Sequence, residues 1–168
     1  MEIERRFLVT DIDKVEKLVE EYKHTKKSII QDYIYSDIFT AIRKRKIVKD
    51  GKEKYIYTVK TGRKGFSVNE YENEISKEQY DSLKKVDNRI TIIKDRYIIP
   101  YINDLKIELD IFHSVYEGII FAEIEYENEK QAIETKIPEW FNMEIGKLVS
   151  NDMMSREKID IIKLCNLK

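Results

Sequence analysis

The chain has 168 residues, enough for one domain with a sizeable core and too few to argue for two. Its 31 basic and 32 acidic residues leave a net charge of −1, so no long-range field favours nucleic acid or an anionic membrane. Five glycines and two prolines argue against disorder, and the lone Cys165 excludes an intrachain disulfide and a cysteine-built zinc site. We therefore expect a single domain over residues 1–168.

No stretch of the sequence is apolar over a membrane-spanning length, and no apolar leader precedes the first predicted strand. A single cysteine also fits a reducing compartment. These features predict a cytoplasmic protein without a membrane or nucleic-acid partner. The sequence leaves open whether the protein is a monomer or a homodimer.

Alternation of apolar and polar residues, which is typical of a strand with one buried face, recurs eight times along the chain. Asp50-Gly51 separates the third and fourth of these segments and is a favoured hairpin turn. Consecutive strands joined by short turns predict an antiparallel sheet of the α+β class, with helices packed outside it. The predicted strands span residues 2–9, 29–35, 39–48, 53–60, 67–75, 91–99, 105–112 and 119–127.

Helical patterns lie between and after the predicted strands. Asp11 and Asn128 are favoured N-cap residues, and Ser76 with Gln79 forms a capping box. Apolar residues recur at helical spacing after Asp11, which predicts one buried helix face. The predicted helices cover about residues 12–22, 77–86, 129–137 and 156–166.

Charged side chains recur at alternating positions on one face of most predicted strands. The opposite faces are apolar, as in Ile107, Leu109 and Ile111. A solvated outer face, common in antiparallel sheets, is one explanation of this pattern. The residues on the polar faces are Glu2, Glu4 and Arg6; Arg43 and Arg45; Thr58 and Lys60; Glu70, Glu72 and Glu74; Lys94 and Arg96; Glu108 and Asp110; and Glu123, Glu125 and Glu127.

The separation of acidic and basic strands favours a second explanation. A solvated face usually mixes charges and pairs opposite signs across strands. A closed barrel with a wet, charged interior would account for whole strands of one sign. Clustered carboxylates suit Mg²⁺ or Mn²⁺, and clustered Arg and Lys suit a polyanion. Both clusters in one cavity predict a metal-bound polyphosphate.

Basic residues also form short runs, namely Lys26-Lys27, Lys44-Arg45-Lys46 and Lys84-Lys85. Such runs can bind nucleic acid, but only Arg45 lies on the predicted inner face. We expect the others to be solvated.

The charged positions form an ordered series that resembles the CYTH, or triphosphate tunnel metalloenzyme, superfamily. Glu2-Ile3-Glu4-Arg5-Arg6 is similar to the opening ExExK signature of that superfamily. The resemblance covers nearly the whole chain and implies an eight-stranded antiparallel closed β-barrel, the triphosphate tunnel. It continues through Arg43-Lys44-Arg45, Thr58-Val59-Lys60, Glu70-Tyr71-Glu72, Lys94-Asp95-Arg96, Glu108-Leu109-Asp110 and Glu123-Ile124-Glu125.

The resemblance also implies roles for individual residues. Tyr33 matches a tyrosine proposed to form a reactive dyad with the signature lysine, so the predicted catalytic residues are Glu4, Arg6 and Tyr33. The acidic positions that would handle Mg²⁺ or Mn²⁺ are Glu2, Glu4, Glu72, Asp110, Glu123 and Glu125. The basic positions that would bind phosphate are Arg6, Arg43, Arg45, Lys60 and Arg96, with Lys94 on the same face.

Two departures from the family pattern bear on mechanism. Arg6 stands where the signature has lysine, and an arginine stays protonated at ordinary pH, so it is a poor proton shuttle. Water activated by the metal is therefore favoured over a lysine-dependent dyad. The segment 151–156 keeps an Asp and a displaced Arg but lacks the tyrosine often present there, which leaves substrate choice open.

The leading functional hypothesis is metal-dependent hydrolysis of the terminal phosphate of inorganic triphosphate or a related small triphosphate. A class IV-type adenylate cyclase is an alternative, but the sequence identifies no nucleobase pocket. A non-catalytic binder of polyphosphate or nucleoside triphosphate is another, which the arginine at position 6 favours. Orthophosphate, cyclic AMP with pyrophosphate, or binding without turnover would distinguish the three.

Overall fold

One antiparallel sheet dominates the structure, a computed structural model that describes residues 1–166. The strand order is β5-β4-β3-β2-β6-β7-β8-β1-β9, and β1 also pairs with β5, which closes the first eight strands into a barrel. The predicted eight-stranded closed barrel of the α+β class is therefore confirmed. The strands are β1 (Glu2–Leu8), β2 (Lys27–Ser36), β3 (Thr40–Lys49), β4 (Lys52–Lys64), β5 (Ser67–Ile75), β6 (Ile92–Pro100), β7 (Lys106–His113), β8 (Ile120–Glu125) and β9 (Met143–Glu144).

The barrel closes at a short seam between β1 and β5. Only Glu2 and Ile3 of β1 pair there, opposite Val68 and Ser67. The rest of β1 pairs with β8, and the unpredicted strand β9 adds to the far end of β1. β4 extends to Lys64, beyond its predicted end. Its pairing with β5 shifts register between Thr61 and Lys64.

The helices lie outside the barrel or at one end of it. Asp11 and Asn128 cap α1 and α3 as predicted, and Ser76 with Gln79 forms the predicted capping box of α2. Among residues 1–166, no helix is long and apolar enough to cross a membrane. The helices are α1 (Ile12–Glu21), α2 (Lys77–Ser82), α3 (Glu129–Glu134), α4 (Asn151–Arg156) and α5 (Ile161–Asn166).

Two helix predictions were wrong in extent. α2 ends at Ser82 rather than near residue 86, because Leu83 adopts an extended conformation. The helix predicted over 156–166 covers only Ile161–Asn166, which is α5, and the unpredicted α4 ends at the residue where that helix was expected to begin. Ser150 caps α4, and the Asp160 carboxylate accepts a hydrogen bond from the Lys163 N–H at the start of α5.

The apolar residues form one cluster outside the barrel and a second at one of its ends. Outward-facing residues of β1, β6, β7 and β8, such as Ile107 and Leu109, pack against α1 and α3. Inward-facing Leu8, Phe112 and Phe121 meet apolar residues of α4 and α5 in the second cluster. This second cluster fills part of the barrel at that end, so the polar interior begins where the apolar packing stops.

Candidate active site

The polar faces of the strands meet inside the barrel around two adjoining cavities of about 160 Å³ each. We call one of them the charged cavity. Every predicted site residue except Tyr33 and Asp110 lines it. The solvated-face explanation of the alternating charges is therefore wrong for these positions. The charged cavity is lined by Glu2, Glu4, Arg6, Arg43, Arg45, Lys60, Glu70, Glu72, Lys94, Arg96, Glu108, Glu123, Glu125 and Asn151.

Opposite charges are matched in one part of this interior, the paired region, which consists of Arg6, Lys94, Arg96, Asp110 and Glu123. Arg6 Nε donates to Glu123 Oε1 at 3.0 Å. Lys94 Nζ donates to Asp110 Oδ2 at 2.5 Å, and Arg96 donates to both Asp110 oxygens at 2.6 and 2.7 Å. Charge-assisted hydrogen bonds of this kind are the strong ones, so the side chains of the paired region are held in place.

The pKa values in the paired region reflect this matching. Burial alone would raise the pKa of Glu123, but Arg6, Arg96 and Lys94 hold it well below its ordinary value. Burial would likewise lower the pKa of Arg6, yet Glu123 and Glu4 raise it. For Lys94 burial dominates and lowers the pKa to about 8, although Asp110 opposes the shift.

Carboxylates gather in a second part of the charged cavity, the crowded region, which consists of Glu2, Glu4, Glu108 and, at its exposed edge, Glu125. Burial and the neighbouring carboxylate of Glu123 raise the pKa of Glu4. Burial also raises the pKa of Glu108, and burial together with Glu2 and Glu108 raises that of Glu125. Arg6 contacts Glu4 and Arg96 contacts Glu108, but these cations do not offset burial and the neighbouring carboxylates, so this region would gain from a bound cation.

The donor chemistry of the crowded region fits a divalent metal ion. Its ligands would be hard carboxylate oxygens, which Mg²⁺ and Mn²⁺ prefer. Within residues 1–166, no three His, Cys, Asp or Glu side chains are already arranged to hold a metal ion together. Basic side chains take some of the oxygens instead, as where Lys60 Nζ lies 2.5 Å from Glu2 Oε2. Metal binding would therefore require small rotations of these carboxylates.

Arg43 and Arg45 provide donors suited to phosphate. Both side chains are buried, and their Nε atoms have no hydrogen-bond partner within the described chain. Burial and the adjacent Arg43 lower the pKa of Arg45 to about 10. An unpaired buried donor is unfavourable, and an anion between the two guanidinium groups would satisfy both.

Two predicted site residues lie outside the charged cavity. The Asp110 carboxylate is fully buried and is occupied by Lys94 and Arg96. Tyr33 borders the second cavity, where its hydroxyl accepts a hydrogen bond from Gln31 Nε2 at 3.2 Å. Burial raises the pKa of Tyr33, which makes its deprotonation harder.

Three residues that were not predicted as site residues also line the charged cavity. Glu70 and Glu108 share a strand face with Glu72 and Asp110, so their alternation already contained the signal. Asn151 had no such signal because it comes from α4, after the last strand of the barrel.

The prediction that Lys44 is solvated was wrong. Its side chain is buried, and its ammonium group donates to the carbonyls of Tyr80 and Leu83 at 3.0 and 2.7 Å. It also lies 4.2 Å from the centroid of the Tyr80 ring. Lys44 thus fastens the end of α2 to the outside of the barrel.

The barrel is similar to several solved structures. The inorganic triphosphatase NE1496 aligns with a TM-score of 0.57 and 23% identity, over 94% of this chain and 95% of that chain. The PH1819 protein from Pyrococcus horikoshii OT3 has a TM-score of 0.60 and 21% identity over 80% and 83%. The putative adenylyl cyclase HpAC1 from Hippeastrum, which has a dominant triphosphatase activity, has a TM-score of 0.56 and 15% identity over 79% and 83%. No protein-family model and no curated protein matches the sequence.

Proposed function

We propose that the protein is a CYTH-type triphosphatase that uses a divalent metal to remove the terminal phosphate of inorganic triphosphate or a related small triphosphate. One observation carries the proposal: a single cavity is lined both by buried arginine donors without partners and by crowded carboxylates. A metal-bound polyphosphate would satisfy both groups together. The fold shared with triphosphatase structures supports the same conclusion.

The basic residues would bind and orient the phosphates. Arg43 and Arg45 would donate from their unpaired Nε atoms, while Lys60 would exchange part of its contact with Glu2 for a phosphate oxygen. Hydrogen bonds to Asp110 hold Arg96 and Lys94 in place, so their positive charges would be preorganised along the cavity lining. Preorganised cations of this kind stabilise charge that develops during phosphoryl transfer.

The acidic residues would hold the metal. We assign Glu2, Glu4, Glu123 and Glu125 to this role, with Glu72 nearby. A bound Mg²⁺ or Mn²⁺ would offset phosphate charge and lower the pKa of a coordinated water. Asp110 is the predicted acidic position whose contacts favour positioning, because its oxygens already bind Lys94 and Arg96.

Arg6 acts in this proposal through charge and hydrogen bonding. It contacts Glu123, Glu4 and the carbonyl oxygen of Val149, and the carboxylates raise its pKa above the ordinary arginine value. A guanidinium that stays protonated cannot accept a proton. Three of its five N–H groups are used in these contacts, so two remain for phosphate, and a residue 6 that only binds favours the second candidate function, a non-catalytic binder of triphosphate.

Orthophosphate release tests the proposal. We expect the purified protein to release orthophosphate from inorganic triphosphate in Mg²⁺ or Mn²⁺, and to stop when chelator is in excess. The same reactions with ATP should be analysed for cyclic AMP. Release undiminished by chelator would defeat the metal assignment, and tight triphosphate binding without any release would establish the binder instead.

A further inference from the structure

Asn151, the first residue of α4, brings an amide group into the charged cavity, whose other lining residues all belong to strands of the barrel. The side chain is only 5% exposed, and its Oδ1 has no hydrogen-bond partner within residues 1–166. A buried acceptor without a partner is costly unless a ligand satisfies it. The amide oxygen of Asn151 therefore indicates a ligand inside the cavity.

The basic side chains that share the boundary of the two cavities with Asn151 are directed to other acceptors. Arg6 donates to two carboxylates and to a backbone carbonyl. Lys60 Nζ contacts two carboxylates at 2.5 and 3.0 Å, and Arg43 Nη2 lies 3.8 Å from a carboxylate. Phosphate oxygens act as acceptors, so they would not satisfy the amide oxygen either. A divalent cation would, because Mg²⁺ and Mn²⁺ take carbonyl as well as carboxylate oxygens.

Contacts on both sides of Asn151 hold it in this position. Before it in the chain, the Val149 carbonyl oxygen accepts from Arg6 Nη1 at 3.1 Å inside the barrel. After it, Asp152 Oδ1 accepts from Arg89 Nη1 at 3.0 Å. A side chain whose backbone is fixed on both sides is preorganised, and preorganisation lowers the free-energy cost of binding a ligand.

We propose that Asn151 Oδ1 is a ligand of the divalent cation, a neutral oxygen that α4 adds to the carboxylates of the crowded region. The inference rests on the proposed function for the presence of the metal, and it extends the metal site beyond the strands of the barrel. Glu4 of the crowded region and Asn151 line the same boundary between the cavities, so their oxygens border the same space. A neutral ligand also avoids the repulsion that a further carboxylate would add there.

The affinity for Mn²⁺, measured by electron paramagnetic resonance, tests the inference in the wild type and three variants. Asn151→Leu removes the oxygen at similar side-chain size. It should bind Mn²⁺ about tenfold more weakly or worse, because even outer-sphere partners of a metal contribute about 10–100-fold to affinity. Asn151→Asp supplies a charged ligand and should bind Mn²⁺ more tightly. Met153→Ala should match the wild type, because Met153 lies on α4 but is 42% exposed and lines neither cavity.

A spectroscopic measurement separates direct ligation from a structural effect of the substitution. The protein would be labelled with ¹³C at the side-chain carbonyl of asparagine and saturated with Mn²⁺. Electron–nuclear double resonance should then detect a ¹³C coupling in the wild type that Asn151→Leu lacks. If Asn151 only stabilised α4, the wild type would show no such coupling.

The remaining outcomes separate the inference from the proposed function. No Mn²⁺ binding by the wild type would defeat the metal assignment itself. Binding by the wild type without the ¹³C coupling, or with equal affinity in Asn151→Leu, would overturn the inference and leave the proposed function standing. If Asn151→Leu does not fold, Asn151→Asp decides: tighter binding than in the wild type supports the inference, and equal or weaker binding contradicts it. Weaker triphosphate binding by Asn151→Leu in chelator, with unchanged Mn²⁺ affinity, would instead assign the amide to phosphate binding.

Discussion

Glu123 and Glu125 lie two residues apart on β8, and both line the charged cavity, yet they are in opposite electrostatic states. The pairing register between β8 and β1 explains the difference, because Glu123 lies opposite Arg6 whereas Glu125 lies opposite Glu4. Cations therefore lower the pKa of Glu123, and carboxylates contribute to the raised pKa of Glu125. The residue that faces each glutamate on β1 thus decides whether the glutamate belongs to the paired region or to the crowded region.

The comparison indicates different tasks for the two regions. The charges of the paired region are matched without a ligand: Asp110 orients Lys94 and Arg96, while Glu123 both contacts Arg6 and lines the cavity in which the metal would bind. The crowded region is incomplete, because its carboxylates repel one another until a cation binds. Variants that remove one carboxylate from each region should therefore have opposite effects on the metal-free protein.

Glu123→Gln should give the largest effect. It removes the charge that Arg6 contacts at 3.0 Å and that Arg96 approaches at 3.7 Å, which leaves buried cations uncompensated. Breaking a buried ion pair from one side costs about 3–5 kcal/mol, so the melting temperature should fall clearly. Triphosphate turnover should be lost. Calorimetry and phosphate release measure the two effects, and wild-type stability in Glu123→Gln would contradict the paired region.

Substitution of Arg6 should give the next largest effect. Arg6→Ala should weaken triphosphate binding by roughly one to two orders of magnitude, since a charge-assisted hydrogen bond contributes about 1.5–3 kcal/mol. Arg6→Lys should keep substantial activity if residue 6 only binds phosphate. Steady-state kinetics over a range of pH is the measurement. A marked gain in rate with a new alkaline limb in Arg6→Lys would instead identify a lysine-type proton shuttle and favour the binder hypothesis for the natural protein.

Glu125→Gln should give the smallest change in stability, and of opposite sign. The folded-state pKa of Glu125 is raised, so its ionised form destabilises the metal-free fold. That penalty is absent below the ordinary glutamate pKa and grows as pH rises through the raised value. In chelator, Glu125→Gln should therefore melt higher than the wild type at about pH 7.5 and equally at about pH 4. Glu127→Gln is the control, because Glu127 is also exposed and two residues further along the chain but lines neither cavity. A lower melting temperature for Glu125→Gln at the higher pH would contradict the crowded region.

Local sequence patterns predicted most of the fold and much of the candidate site. Alternation along β7 places Glu108 inside and Leu109 in the outer core, and the same rule places Arg43 and Arg45 inside. Capping residues such as Asp11 and Ser76 marked the helix starts because they act on neighbouring N–H groups.

Contacts distant in sequence could not be predicted in the same way. Asn151 reaches the cavity only because Arg89 holds α4 against the barrel, and no periodicity reports such a contact. The burial of Lys44 depends on carbonyl groups freed at the end of α2. Asp110 alternates like a cavity residue, but Lys94 and Arg96 occupy its oxygens. Which carboxylate is paired and which is crowded depends on cross-strand register, which the sequence of one strand does not contain.

Mn²⁺ binding tests most directly the central claim, that the crowded carboxylates hold a divalent cation. Electron paramagnetic resonance of free Mn²⁺ during titration would give affinities for the wild type, Glu125→Gln and Glu127→Gln. Because affinity for a hard cation follows the number of charged ligands, we predict that Glu125→Gln binds Mn²⁺ about tenfold more weakly or worse and that Glu127→Gln matches the wild type. No binding by the wild type, or equal binding by all three, would contradict the account.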